Sequence, residues 1–188
     1  NGDLPLCSAL MHGALSEGTI VALLEAHPDA AARSETSSGN FPLHLALIGE
    51  LSAAVVVSLL EAHPDAVQQK NLAGDRPLRI ALSNAASSEV VVALVFAALR
   101  QGVSLDEIRP VLQERPETVR VKDEAGNFPL HSALKHKARS AVVVALLEVF
   151  PDAVLENDSD GSVPLHSAVV NKAAQEFKNA PTPTNKAK

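Results

Sequence analysis

The chain has 188 residues, 46% of them hydrophobic and 20% charged, which is enough apolar material for a folded core and excludes a wholly disordered chain. The formal net charge is −6 with scattered acidic residues, so we expect no nucleic-acid partner. A single cysteine excludes an internal disulfide and a metal site of several thiolates, and the low aromatic content of 3% favours closely stacked helices.

The sequence contains no apolar run close to the roughly 20 residues that a membrane-spanning helix needs. No signal peptide is visible at its start. We therefore expect an intracellular, cytoplasmic protein without a membrane partner. The chain begins with Asn1 at the edge of a repeat, which we interpret as a piece of a longer protein.

A Gly-x-x-Pro-Leu segment recurs along the whole chain. Its five copies begin at Gly2, Gly39, Gly74, Gly126 and Gly161. The successive glycines are 37, 35, 52 and 35 residues apart, a period typical of solenoid proteins. A stack of similar units is therefore predicted.

Each unit is predicted to hold two helices. The proline of the Pro-Leu segment suits the first turn of a helix, so helix A of the second unit is expected at about Pro42 to Gly49. Helix B is expected to follow a serine, a usual capping residue, and to end before the next proline. The serines are Ser16, Ser52, Ser87 with Ser88, and Ser140.

Three valine runs, at 55–57, 90–92 and 142–144, favour strands by propensity alone. A β-branched residue costs a helix about 0.5 kcal/mol, whereas burying an aliphatic side chain contributes roughly 1.5–3 kcal/mol. Packing should prevail, and we predict helix at all three runs.

The repeated segment resembles the ankyrin repeat, whose 33-residue unit carries a T-P-L-H-x-A core. The resemblance implies an all-α, ankyrin-like helical-repeat solenoid of about four and a half repeats with an expanded third repeat. Its predicted domain covers residues 1–178, and residues 179–188 are predicted to be a disordered tail. The expected repeats are 2–38, 39–73, 74–125, 126–160 and 161–178.

The sequence departs from that family in lacking the threonine before each proline. A polar residue stands one position earlier, and we predict that it caps helix A instead. Asn127, for example, would accept the N–H of Leu130, and Asn127→Ala would then destabilise the protein by about 1 kcal/mol. The five candidate caps are Asp3, Asn40, Asp75, Asn127 and Ser162.

Repeat length is a second departure. The 35-residue units exceed the family length by two residues, which we place between helices A and B. In the 52-residue unit, helix B is expected at about 89–100, and Ser104 to Glu107 predicts a capping box for a further helix. Residues 111–119 resemble the end of another helix B. Two B-like helices in succession are either a decoration or a local break in curvature.

No catalytic motif is recognisable, so we expect neither an enzyme nor a cofactor or metal. The resemblance implies that His44, His131 and His166 form structural hydrogen bonds at helix starts. Cys7, at the equivalent position, is expected to be a packed thiol. The tripeptides His27-Pro28-Asp29 and His63-Pro64-Asp65 match J-domain co-chaperones, but we interpret them as helix stops.

The resemblance implies a monomeric module that binds a protein or peptide on its concave face. Two alternatives remain open, a regulatory or targeting arm of a larger enzyme and a J-domain-like co-chaperone. By resemblance, the binding positions lie just after each repeated glycine and at the end of helix A. They are Met11, His12, Asn40, Ile48, Asp75, Ser83, Asn84, Asn127, Lys135, His136, Ser162 and Asn171.

Overall fold

In the computed structural model of the protein, residues 5–13, 15–166 and 168–169 are described. These ranges contain nine complete α-helices, four short 3-10 turns and no β-strand, so the predicted all-α class is confirmed. The predicted tail, 179–188, lies outside them. The helices are α1 (Pro5–His12), α2 (Glu17–Ala26), α3 (Pro42–Ile48), α4 (Ala53–Ala62), α5 (Pro77–Ser83), α6 (Ser88–Arg100), α7 (Leu105–Glu114), α8 (Pro129–Lys135) and α9 (Ser140–Val149). Residues 164–166 and 168–169 are helical as well.

Proline begins every complete A helix (α1, α3, α5 and α8), as predicted. A serine precedes three of the B helices: Ser16, Ser52 and Ser87 are the N-caps of α2, α4 and α6. The fourth serine was misplaced by one position, because Arg139 is the N-cap of α9 and Ser140 is its first residue. Because these helices are short, a large share of their backbone N–H and C=O groups lies at the ends, where capping supplies the hydrogen-bond partners.

The B helices α2, α4 and α9 end, as predicted, before a proline. His27 and His63 are the C-caps of α2 and α4, and the proline that follows each one starts a 3-10 turn. The helix-stop interpretation of the His-Pro-Asp tripeptides is confirmed. The four 3-10 turns are Pro28–Ala32, Pro64–Gln68, Pro116–Arg120 and Pro151–Val154.

All three valine runs are helical, as predicted, and they lie in α4, α6 and α9. In each run at least one valine is fully buried, for example Val56, Val91 and Val142. The free energy of burying these side chains therefore outweighs their modest helix propensity.

The predicted caps of α3, α5 and α8, which are Asn40, Asp75 and Asn127, are wrong, and the candidate Asp3 lies outside the described residues. Phe41, Arg76 and Phe128 are the N-caps of α3, α5 and α8, and no side chain caps these helices in the predicted manner. The polar residue before each of them belongs to the preceding hairpin. Asn127, for example, donates to the Asp123 carboxylate from its backbone N–H (2.9 Å) and its side-chain Nδ2 (3.2 Å).

The nine helices pack in two continuous rows. One row runs α1, α3, α5, α7 and α9, and the other runs α2, α4, α6 and α8, with each helix packed on the next member of its row. In the first three units, helix A lies in the first row and helix B in the second. After the extra helix α7 these places are exchanged, so that α8, an A helix, lies beside α6, and α9 lies beside α7.

Helix α6 has features of both a B helix and an A helix. It begins after Ser87 like a B helix, but it ends like an A helix, with a residue of positive φ at Gly102 and a bond from Val103 N–H to Ala98 C=O. The A helices α3, α5 and α8 end in the same Schellman turn, through Glu50, Ala85 and Lys137. The expansion is thus an integral part of the stack, not a decoration, and Ile108 and Val111 of α7 are fully buried.

Candidate functional site

Two of the three repeated histidines connect neighbouring parts of the stack. The Nδ1 of His44 accepts the N–H of Phe41 (3.1 Å), which replaces the absent threonine at the start of α3. The Nε2 of His131 lies 3.1 Å from the carbonyl oxygen of Ser162 in the following hairpin. Both rings are fully buried, whereas His166 is exposed. The predicted helix-start hydrogen bond is therefore confirmed for His44, whereas His131 bonds to the following hairpin and its Nδ1 has no partner within the described residues.

The surroundings of His44 favour its neutral form. Burial lowers its pKa, and the carbonyl groups of Asp75 and Gln69 oppose this effect only in part. A neutral ring that accepts at Nδ1 carries its proton on Nε2, which is buried and has no hydrogen-bond partner within the described residues. The buried histidine therefore has a structural role at the start of α3.

Most of the predicted binding positions at helix ends are exposed. Met11 and Ile48 are large apolar residues with exposed fractions of 42% and 49%. Ser83 is exposed and Asn84 half-buried, and the Nδ2 of Asn84 donates to the carbonyl of Leu47 (3.3 Å). The remaining exposed positions at helix ends are His12, Lys135 and His136.

The positions after each glycine differ from expectation. Asn40 was expected to be exposed, but it is buried and accepts a hydrogen bond from Asn71 (3.0 Å). Asp75 is half-buried and pairs with Arg79 (3.1 Å). Asn127 and Ser162 are also half-buried, and Asn171 lies outside the described residues. These side chains mainly hold the hairpins together.

The exchange of rows divides the predicted binding positions into two groups. The ends of α1, α3 and α5 lie in one row, and the Asn84 bond joins two of them. The end of α8 lies instead near α6, where partial burial and the charges of Arg100 and Lys135 lower the pKa of His136. The ends of the A helices, and with them the predicted binding positions, therefore lie in both rows.

A groove of about 710 Å³ lies between α5 and α7, at the point where the rows exchange. Its volume falls in the range of about 300–1,000 Å³ that is usual for ligand sites. In a regular stack another A helix and hairpin would follow α5, whereas here the amphipathic helix α7 follows it. Val67, Leu78, Leu82 and Pro110 give the groove an apolar base.

Opposite charges line the two sides of this groove. Lys70, Arg76 and Arg79 come from the hairpin and α5, whereas Asp106, Glu107 and Glu114 come from α7. Arg76 and Glu107 form a salt bridge that joins the two sides. Lys70, Asp106 and Glu114 are exposed and form no ion pair within the described part of the chain.

The described residues contain no group of three or more His, Cys, Asp or Glu side chains suited to a metal ion. Cys7 is fully buried and donates to the carbonyl of Arg33 (3.6 Å), so the predicted packed thiol is confirmed. None of the helices in the described ranges is long and apolar enough to cross a membrane.

No family model matches the chain, and no curated protein matches it. Among solved structures, it is similar to the ankyrin repeat domain of Bcl-3, described as a unique member of the IkappaB protein family. The match has 21% identity and a TM-score of 0.41, and it covers 93% of this chain and 83% of that chain. Helix pairs, intervening hairpins and buried histidines define the architecture by themselves. The fold is an ankyrin-like helical-repeat solenoid.

Sequence reasoning found Ser83 but missed the rest of the groove. The sequence of α7 did indicate an acidic side of the groove, since Asp106 and Glu114 are about two helical turns apart with Pro110 between them. The opposing residues are distant in sequence, because Lys70 belongs to the preceding unit and Arg79 lies on α5. Only the packing of α7 on α5 brings them together.

Proposed function

We propose that the chain is a protein-binding module and that its partner binds the ends of α1, α3 and α5. The observation that carries the proposal is the pair of exposed apolar residues, Met11 and Ile48, at the ends of two neighbouring helices. Exposed aliphatic side chains bordered by polar groups are typical of interaction surfaces. His12, Ser83 and Asn84 supply that polar border.

The solenoid architecture supports this proposal. Successive units present equivalent helix ends side by side, and such repeated surfaces are commonly used to bind proteins. Hydrogen bonds between units fix the spacing of the helix ends, as the Asn84 bond to Leu47 does. A partner would thus meet a surface that needs little reordering on binding.

A photo-crosslinking amino acid at position 48 tests the proposal. Capture from cell extract should yield one recurring protein, and Ile48→Glu in untagged competitor should no longer displace it. Leu23 offers a matched control, since it is an apolar residue of α2, in the other row, with an exposed fraction of 39%. Equal capture from position 23, or unchanged competition by Ile48→Glu, would contradict the proposal.

A further inference from the structure

The groove between α5 and α7 has the features of a site for an extended peptide. Its base is apolar, its two sides carry opposite charge, and the volume of about 710 Å³ accommodates a short segment. It exists only because α7 takes the place where a regular stack would continue with an A helix and its hairpin. Its occupant must satisfy both charged sides at once.

The spacing of the acidic residues defines one face of the occupant. Asp106 and Glu114 are eight residues apart on α7, which corresponds to about 12 Å along the helix axis. An extended chain advances about 3.3 Å per residue, so residues i and i+4 of a bound segment are about 13 Å apart. Basic side chains at i and i+4 would therefore face these two carboxylates.

The opposite side of the groove defines the other face. Lys70 and Arg79 are exposed, and Arg79 shares its charge with Asp75. Alternate residues of an extended chain point in opposite directions, so residues i+1 and i+3 would face these cations. Acidic side chains suit those positions. Pro110, midway between the two acids of α7, offers an apolar contact to a residue at i+2.

We propose that this groove binds an extended segment of a partner protein with basic residues at i and i+4 and acidic residues at i+1 and i+3. The inference rests on the proposed protein-binding function and specifies the chemistry of one bound segment. The Arg76–Glu107 salt bridge joins the two sides and pairs the charges of both residues. Lys70, Asp106 and Glu114 are left to select the ligand.

A fluorescein-labelled peptide Lys-Glu-Leu-Glu-Lys, flanked by glycines, is the probe. Its binding to the full chain is measured by fluorescence anisotropy, beside the peptide Glu-Lys-Leu-Lys-Glu, in which the basic residues are only two apart. We expect saturable binding of the first peptide, and binding of the second to be weaker by about tenfold or more, as expected for two lost charge pairs.

Charge reversal on α7 provides the decisive comparison. The double variant Asp106→Lys with Glu114→Lys should bind the first peptide about tenfold more weakly than the wild type does, and it should bind the second peptide more tightly. Glu25→Lys with Glu61→Lys, which makes the same charge change at exposed helical positions outside the groove, should leave both affinities unchanged.

Three results would overturn the inference: no saturation below about 1 mM, equal affinity for both peptides, or equal effects of the two double variants. Failure of the peptide to bind, while position 48 still captures a protein, would reject the groove alone. Absence of capture from position 48 would reject the proposed function.

Discussion

The described residues contain four hairpins between units, and one side chain closes each of the last three in the same way. Asn71, Asp123 and Asp158 each accept the backbone N–H of the residue four positions later, at 2.8–2.9 Å. The glycine just before that N–H has positive φ in all three hairpins, which lets the chain reverse without the strain that a β-carbon would cause. The repeated glycine is thus a requirement of the turn.

The first of these hairpins is one residue longer, and its closing side chain is longer too. Glu35 takes the place of Asp or Asn, and its N–H bonds to the carbonyl of Asn40, five residues later. Its carboxylate accepts the N–H and hydroxyl groups of both Ser37 and Ser38. The carboxylate thus binds the residues two and three positions later, inside the turn.

Glu35→Gln tests this arrangement. The hydrogen bonds from Ser37 and Ser38 lower the pKa of Glu35 from 4.5 to about 2. A lowered pKa means that the carboxylate stabilises the fold above pH 4.5 and that this contribution is lost as the pH falls towards 2. We expect the substitution to reduce the free energy of unfolding at neutral pH by about 1–3 kcal/mol.

The pH profile separates this effect from a general loss of stability. The two proteins should converge as the pH is lowered, because the wild-type carboxylate becomes protonated. Urea unfolding followed by circular dichroism is suitable, since the chain has no Trp or Tyr. A difference that stays constant across the acid range would argue against a special role for the charge of Glu35.

Asp123→Ala and Asn127→Ala together assign the stabilising residue of the third complete hairpin. Asp123 accepts two hydrogen bonds from Asn127 and pairs with Arg100 (3.1 Å). We expect Asp123→Ala to cost about 1–2 kcal/mol, and Asn127→Ala less, because the latter removes only one side-chain bond. Thermal unfolding measures both. A larger loss from Asn127→Ala would show instead that Asn127 is the main stabilising residue of this hairpin.

The capping error shows what local sequence reveals at this scale. The sequence predicted that Asn127 accepts the N–H of Leu130, whereas Asn127 donates to Asp123. It did not identify the partner, because Asp123 and the N–H of Leu130 are both within reach of such a residue. The geometry of the glycine turn decides between them. That geometry includes the hydrogen bond from the N–H of Asp123 to the carbonyl of Asn127.

Among the elements, α9 allows a direct test of why the valine runs are helical. Val142 is fully buried, whereas Val144, two residues later in the same helix, has an exposed fraction of 52%. Val142→Ala should cost about 1–3 kcal/mol, since lost burial exceeds the gain of about 0.5 kcal/mol in helix propensity. Val144→Ala should change stability by no more than about 0.5 kcal/mol.

The two alanine variants control for each other, because they make the same chemical change in one helix. Their free energies of unfolding follow from urea titrations with equal slopes. Equal losses at both positions would mean that burial does not determine the helical state of this run.

The ends of α6 and α7 could be predicted from sequence more closely than their positions in the stack. The predicted stop at Gln101-Gly102 and the start after Ser104 are confirmed. The capping box is formed only in part, because the Ser104 hydroxyl donates to the Glu107 carboxylate (3.0 Å). Capping signals are local and therefore visible in sequence. Whether α7 lies beside α5 or elsewhere depends on contacts between units.

In the whole molecule, one additional helix changes which elements are neighbours. The two rows remain continuous, but the A and B helices exchange rows after α7. The repeat period indicated a solenoid, and the 52-residue spacing indicated an irregularity. The sequence contained no signal for the exchange, because α6 has the local features of both helix types. The groove and the two separate groups of helix ends follow from that exchange.

Ile108→Ala and Ile20→Ala test how stability is transmitted through the stack. Ile108 is fully buried in α7, which packs on both α5 and α9, whereas Ile20 is buried in α2, which packs on α4. Each change should cost about 2–5 kcal/mol at its own site. Because units of a solenoid are stabilised mainly by their neighbours, Ile108→Ala should speed hydrogen exchange in α5 and α9 alike. Ile20→Ala should affect the N-terminal units and spare α8 and α9. If Ile108→Ala speeds hydrogen exchange in α7 alone, α7 is a peripheral helix and the continuity of the two rows does not depend on it.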